Sequence, residues 1–240
     1  MDVKDFFLHQ SSVFKEKIVI LSNKTPFNMN ENKVDTFVVT IGRQFGCGGR
    51  EIGRLVAQKL GIGYYDKELL IEVAQQSGMS SDYLEAGDEI APRFMTNLWS
   101  FGSVMSSGGY FVGDNAAGGA EIYRAQSEVM RTLADRGPCV IVGRTADYVL
   151  RGYCPVVSVF VHADIEDRAQ RIVARGDCAN HDEALQLAEK KNRLRAEFYN
   201  FYTDKRWGDA TSYDLCINSS VLGEDGTANA IVDFIRRWHQ

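Results

Sequence analysis

The chain has 240 residues, 45% of them hydrophobic and 25% charged, which suits one substantial α/β domain with an insertion, or two small domains. Its formal net charge of −5 excludes a general electrostatic attraction to nucleic acid or to an anionic membrane. Any anionic ligand must therefore be caught by a local cluster of donors.

Residues 1–34 read as an N-terminal extension. An apolar segment from Phe6 to Leu21 runs into a polar, Asn-rich stretch from Ser22 to Lys33. It is either an appendage or an amphipathic helix that docks on the body or on a partner. The pattern then changes. Phe37 to Ile41 is a short β-rich run, Gly42 to Gly49 holds four glycines, and Glu51 to Leu60 places Ile52, Leu55, Val56 and Leu60 on one helical face. Strand, glycine-rich turn and helix in that order form half of a βαβ unit. Residues 67–120 break the rhythm with helix-like pieces and a glycine- and serine-rich stretch, Gly102 to Gly119, that reads as mobile. Three later β-branched runs predict buried strands: Cys139–Val142, Val156–Val161 and Tyr213–Ile217. Helices are predicted between and after them, over Glu121–Arg136, Asp164–Arg175, His181–Tyr202 and Asp225–Trp238. Short strands alternating with helices imply a mostly parallel sheet covered on both faces. Residues 67–120 then lie at the strand ends, where such sheets bind ligands.

The five cysteines (Cys47, Cys139, Cys154, Cys178 and Cys216) form no C-x-x-C pair. That argues against a disulfide framework or a zinc site and for a reducing compartment. No run approaches about eighteen apolar residues, and Met1–Asp5 opens no signal-peptide pattern, so a cytoplasmic protein without a membrane span is expected. The four histidines have no metal-like spacing.

The strongest chemical signal is Gly42-Arg43-Gln44-Phe45-Gly46-Cys47-Gly48-Gly49-Arg50-Glu51. Glycines let the backbone curl and turn its N–H groups toward an anion, and the helix that follows adds the positive end of its dipole. Arg43 and Arg50 can add charge-assisted bonds to phosphate oxygens. The run lacks the lysine and the Ser/Thr of G-x-x-x-x-G-K-[ST], and it fits the dinucleotide fingerprint worse. Phosphate binding is one reading; a turn that merely packs strand on helix is the other. Cys47 reads as an inert small residue, although a thiol among N–H groups can be acidified.

These residues resemble the cytidylate kinase-like family. The resemblance is carried by Ile41 to Gly53, Tyr64 to Leu69, Ile141 to Tyr148, Tyr199 to Trp207 and Tyr213 to Asn218, in that order along the chain. It implies a P-loop NTPase-type, three-layer α/β/α fold with a mostly parallel five-stranded sheet, a helical nucleoside-monophosphate (NMP)-binding insertion and a lid. The corresponding boundaries are a core over 35–66 and 133–240, an insertion over 67–132 and a lid over about 175–202. It also implies transfer of a phosphoryl group from ATP, with Mg²⁺, to a nucleoside monophosphate, CMP or dCMP first.

The residues carried over follow the same resemblance. Gly42, Arg43, Gly46, Cys47, Gly48, Gly49, Arg50 and Glu51 are assigned to ATP, and Glu51 also to the metal. Asp66, Arg124, Arg144 and Asp147 are assigned to the acceptor. Arg50, Arg144, Lys191, Arg193 and Arg195 are assigned to the transferred phosphoryl group. Gly49 stands where the family's lysine belongs, and Glu51 stands near its hydroxyl residue. A nucleotide-binding sensor, or a partner-binding module working through residues 1–34, is the other class of function considered; a homo-oligomer is another use of that segment. Two side-chain groups carry alternatives of their own. Arg168 and Arg171 read as a solvated face paired with Asp164 and Glu166, with Arg175 reaching toward the lid. Phe198, Tyr199, Phe201, Tyr202 and Trp207 either pack beneath the lid or stack on a base.

Overall fold

The computed structural model describes residues 36–66, 115–143 and 145–238. The N-terminal extension, residues 67–114 of the insertion and Arg144 lie outside the described residues. The elements are β1 (Val38–Arg43), α1 (Gly49–Leu60), β2 (Gly63–Tyr65), α2 (Asn115–Asp135), β3 (Cys139–Val142), α3 (Ala146–Val149), β4 (Val156–His162), α4 (Ile165–Ala174), α5 (His181–Tyr202), β5 (Leu215–Asn218) and α6 (Ser219–Trp238). A single 3₁₀ turn, Ala210–Ser212, precedes β5.

The five strands form one sheet in the order β2-β3-β1-β4-β5, and every pairing is parallel. β1 is central, so its Val38, Val39 and Ile41 are fully buried, as a strand covered on both faces requires. Parallel strands put all their C-terminal ends on one edge, which gathers Arg43, Asp66, Gly143, His162 and Asn218 there. The main core lies on the α1/α6 side of the sheet, around Val39, Ile41, Ile52, Val56, Val159, Ile231 and Ile235. A second cluster packs α2 and α3 against Val38 and Ile141. A third joins α4 to α5 through Ala169, Ile172, Ala184 and Ala188.

Local sequence explains several boundaries. Asn180 caps α5 by accepting from the Glu183 N–H at 2.9 Å, while Glu183 reaches back to accept from the Ala179 N–H at 3.0 Å. This is the reciprocal arrangement of a capping box, and the helix spans the predicted residues. α1 seats on the sheet through glycine. A Cβ at Gly53 would lie 2.9 Å from Val142 Cγ2 and 3.2 Å from Ile41 Cδ1.

Three expectations are revised. β2, three half-buried residues, is a strand that no apolar run announces. Residues 115–119, expected within a mobile stretch, belong to the first turns of α2. α6 begins at Ser219 rather than near Asp225, with a break at Gly223 (φ 66°).

Candidate active site

The loop between β1 and α1 is clasped from several sides. The Gln44 N–H donates to the Val161 carbonyl at 3.0 Å, prolonging the β1–β4 ladder. The Phe45 N–H donates to Asn192 Oδ1 of α5 at 2.7 Å. Ser219, fully buried at the start of α6, donates from Oγ to the Cys47 carbonyl at 2.8 Å. Gly46 and Gly48 have φ of 83° and 77°, the left-handed region that favours glycine. Gly46 also lies against α4, where a Cβ would meet the Arg168 carbonyl at 2.8 Å. The loop is therefore a rigid curl, and among the described residues nothing accepts from the N–H groups of Gly46, Cys47 or Gly48.

Cys47 is fully buried, its thiol donating to the Val161 carbonyl at 3.4 Å. Burial pushes its pKa up, against the opposing pull of the Gly49 N–H and of Arg195, Arg43 and Arg171. Burial thus keeps the thiol protonated at neutral pH. Of the loop residues assigned to ATP, Gly49 is required for shape. A Cβ there would sit 2.7 Å from Arg43 Cβ.

Cations ring this curl. The Arg43 guanidinium crosses to the end of β3 and packs over Gly143, where any Cβ would collide with its Nη1. Arg195 of α5 donates from Nη1 to the Arg43 carbonyl at 3.2 Å. Its guanidinium carbon stands 5.4 Å from the Phe45 ring centroid, and that of Arg175 stands 5.2 Å from the same ring. Arg171 Nε lies 4.0 Å from Glu224 Oε1. That oxygen presses on Gly48, at 2.6 Å from where a Cβ would be. Arg50 points elsewhere: its Nε is 3.6 Å from Asp66 Oδ2, which also accepts from the Tyr64 hydroxyl at 3.2 Å. Glu51 is half-buried in the first turn of α1.

A pocket opens at the strand ends between β1, β3 and α5. Arg43, Arg195, Thr145, Asp147, Tyr199 and Trp207 are among the residues that line it. Asp147 is buried, and its Oδ2 accepts from the Tyr199 hydroxyl at 2.7 Å and from Lys205 Nζ at 3.3 Å. Burial first, and then the Asp147 charge, push the Tyr199 hydroxyl pKa up, so it remains a donor. Trp207 meets Phe160 edge to face, with ring centroids 5.1 Å apart. Tyr123 of α2 stacks on Tyr202 of α5 at 4.1 Å and takes a hydrogen bond from Thr145. The aromatic residues of α5 thus both pack that helix and line the pocket.

The pocket brings together Gly42, Arg43, Asp147 and Arg195, and Gly46, Cys47 and Gly48 are buried in the adjoining loop. Arg50 and Asp66 form a pair at the end of β2. Lys191 is half-buried on α5, Arg124 is exposed on α2, and Arg193 lines a separate groove between α4 and α5. The solvated-face expectation is wrong for Arg168: it is 8% exposed, with Nε donating to the Ala163 carbonyl at 3.0 Å. Its expected partners are taken, Glu166 by His181 and Asp164 by Asn218. Arg171 pairs with Glu224 instead. Residue patterns missed Asn192, Ser219 and Glu224 as loop contacts. An asparagine inside a long helix, where it is a poor helix former, was the available signal for the first.

Comparison with known proteins identifies the family. The cytidylate kinase-like family matches residues 38–221, from β1 into the last helix. The cytidylate kinase of Methanococcus aeolicus is 25% identical over 198 residues, spanning 81% of this chain and 94% of its own. That of Methanothrix thermoacetophila is 24% identical over 200 residues, spanning 83% and 98%. Among solved structures, an uncharacterized protein from Eubacterium ventriosum superposes with a TM-score of 0.63 at 27% identity, covering 84% of this chain and 99% of that one. With the sheet order, the glycine-rich curl and a match over most of its length, the chain belongs to the cytidylate kinase-like family and has the P-loop α/β kinase fold.

Proposed function

We propose that this protein transfers the γ-phosphoryl group of ATP to a nucleoside monophosphate, with CMP or dCMP the first acceptors to try. One observation carries the reading: a curl with unused N–H groups at Gly46, Cys47 and Gly48, ringed by Arg43 and Arg195, adjoins a pocket that also holds Asp147. Cytidylate kinases of similar length among the relatives support the nucleotide class.

In the reaction an anionic oxygen of the acceptor phosphate attacks the γ-phosphorus, and the bond to the β,γ-bridging oxygen breaks. No general base is required, because the attacking oxygen already carries charge. What the protein supplies is position and charge. The loop amides hold the donor phosphates. Arg43 and Arg195 neutralise the oxygens where charge accumulates, in the place of the lysine that Gly49 replaces. Arg50, committed to Asp66, orders the β2 end against the loop helix rather than filling that role. Arg144, Arg124 and Lys191 complete the acceptor and lid contacts. Asp147, held by Tyr199 and Lys205, offers an acceptor to an amino or hydroxyl group of the substrate.

Mg²⁺ takes one or two carboxylates together with phosphate oxygens and waters. Among the described residues no cluster of three or more His, Cys, Asp or Glu could hold a metal alone, and Glu51 in the first turn of α1 fits a single-carboxylate role. The ion supplies neutralisation of the β- and γ-phosphate charge.

The experiment is coupled-assay turnover with ATP and Mg²⁺ against CMP, dCMP, UMP, AMP and GMP, alongside Arg195→Ala and Arg50→Ala. Turnover of one pyrimidine is expected, with Arg195→Ala slower by about 10³-fold, the scale of a well-placed arginine, and Arg50→Ala reduced far less. ATP binding without turnover of any acceptor overturns the kinase. It would favour a nucleotide sensor, the reading that the missing lysine and the engaged Gln44 and Phe45 amides support.

A further inference from the structure

From the same clasped loop we infer that Phe45 is a positioning residue: its ring holds the Arg175 and Arg195 guanidinium groups over the phosphate loop. The inference deepens the proposed reading and rests on it, and it concerns a side chain to which spacing assigned no role.

The case begins with where the two arginines come from. Arg175 follows the end of α4 and Arg195 lies in the last third of α5, so the chain between them covers most of the expected lid segment. Their guanidinium carbons nevertheless lie 5.2 and 5.4 Å from one ring centroid. Two like charges do not attract each other, and the electron-rich face of an aromatic ring is the element that attracts both. The ring is itself fixed. Its backbone N–H is held by Asn192 at 2.7 Å, and its edge joins the apolar cluster of Ala169, Ile172, Ala184 and Ala188. Arg195 is tied to the loop a second time through the Arg43 carbonyl, and Arg175 is tied to Asp177 at 2.7 Å. Each guanidinium is thus fixed at one edge by a hydrogen bond and set against the ring besides. A planar guanidinium stacks in this way and a lysine ammonium does not.

The consequence is pre-organisation. A fork held against a fixed ring loses little freedom when it meets phosphate oxygens, and the electrostatic gain of a charge already in place is the larger for it. In a loop without lysine, the ring replaces a cation on the loop itself with two borrowed from the lid helices.

The test uses inorganic tripolyphosphate titrated calorimetrically into the full chain, without an acceptor. Phe45→Leu, which keeps apolar bulk and loses the ring, is expected to weaken binding about tenfold, whereas Phe45→Tyr restores wild-type affinity. Arg175→Gln weakens binding in the wild type, and adds little on top of Phe45→Leu because the two act as one unit. Equal affinity of wild type and Phe45→Leu overturns the role of the ring while leaving the phosphate loop standing. No binding by the wild type removes the phosphate-loop reading and this inference with it. Should Phe45→Leu fail to fold, the pentafluoro analogue of the Phe45 ring decides, since it keeps the shape and reverses the charge distribution. Unchanged affinity there overturns the inference, and weakened affinity upholds it.

Discussion

Cys139 begins β3 with 1% of its surface exposed, and burial pushes its thiol pKa from 9.0 up to about 12, with neighbouring Cys154 adding to the rise. The folded state therefore keeps a proton that the unfolded chain loses above about pH 9. Stability from this group is fully present below that pH and is lost as the pH climbs toward 12, at about 1.4 kcal/mol per pH unit for one proton. Denaturant unfolding between pH 8 and 11 is expected to show a steeper alkaline loss in the wild type than in Cys139→Ala, whose lower baseline is a separate packing effect. Equal slopes mean that the thiol is hydrated in the folded state. Single residues also mark where sequence reading ran out. Arg168, Arg171 and Arg175 share one helical face at i, i+3 and i+7, the first two reading as solvated, yet tertiary contact separates all three: Gly46 seats on Arg168, Glu224 takes Arg171, and Phe45 takes Arg175. Arg193 and Arg195 show the same limit, because two residues along a helix turn about 200° and face different spaces.

At the scale of elements, legibility followed period and length. The β-branched runs of β1, β3 and β4 announce buried parallel strands, whereas the cap at Asn180 emerges only in the structure. β2 is too short for any period and is placed by its neighbour β3 alone. α1 carries a subtler signal, since Gly49, Gly53 and Ala57 at i, i+4 and i+8 form a small-residue stripe that is buried. Two opposing effects meet at Gly53. Alanine gains about 1 kcal/mol of helix propensity, but its Cβ would press on Val142 and Ile41 at 2.9 and 3.2 Å, and overpacking costs about 1–3 kcal/mol. Gly53→Ala is therefore expected to lower stability by up to about 2 kcal/mol net, read as a shift in the denaturant midpoint at unchanged slope. A stabilised variant would show that α1 can shift outward at no cost. The loop that α1 anchors would then be less fixed than its hydrogen bonds imply.

The whole molecule binds its loop through contacts that no short stretch of sequence displays. Phe45 bonds to Asn192 and Cys47 to Ser219, partners separated by 147 and 172 residues, so the curl is complete only when β4, α5 and α6 are all in place. Anion binding at the loop and global folding are therefore linked. Ser219 tests that link. Its one hydroxyl proton is shared between the Cys47 and the His162 carbonyls, at 2.8 and 3.1 Å, tying the loop after β1 to the ends of β4 and β5 at one buried atom. Ser219→Ala leaves those carbonyls without their donor at an expected cost of about 1–3 kcal/mol. A ligand at a hundred times its Kd stabilises the wild type by about 2.7 kcal/mol. If the hydroxyl shapes the loop, the variant's increment at the same ATP concentration is smaller, because its Kd has risen. Unfolding curves with and without ATP separate the two effects. A variant that loses baseline stability but keeps the full increment would mean that Ser219 supports the fold alone, and that the loop holds its curl through Asn192 and the β4 ladder.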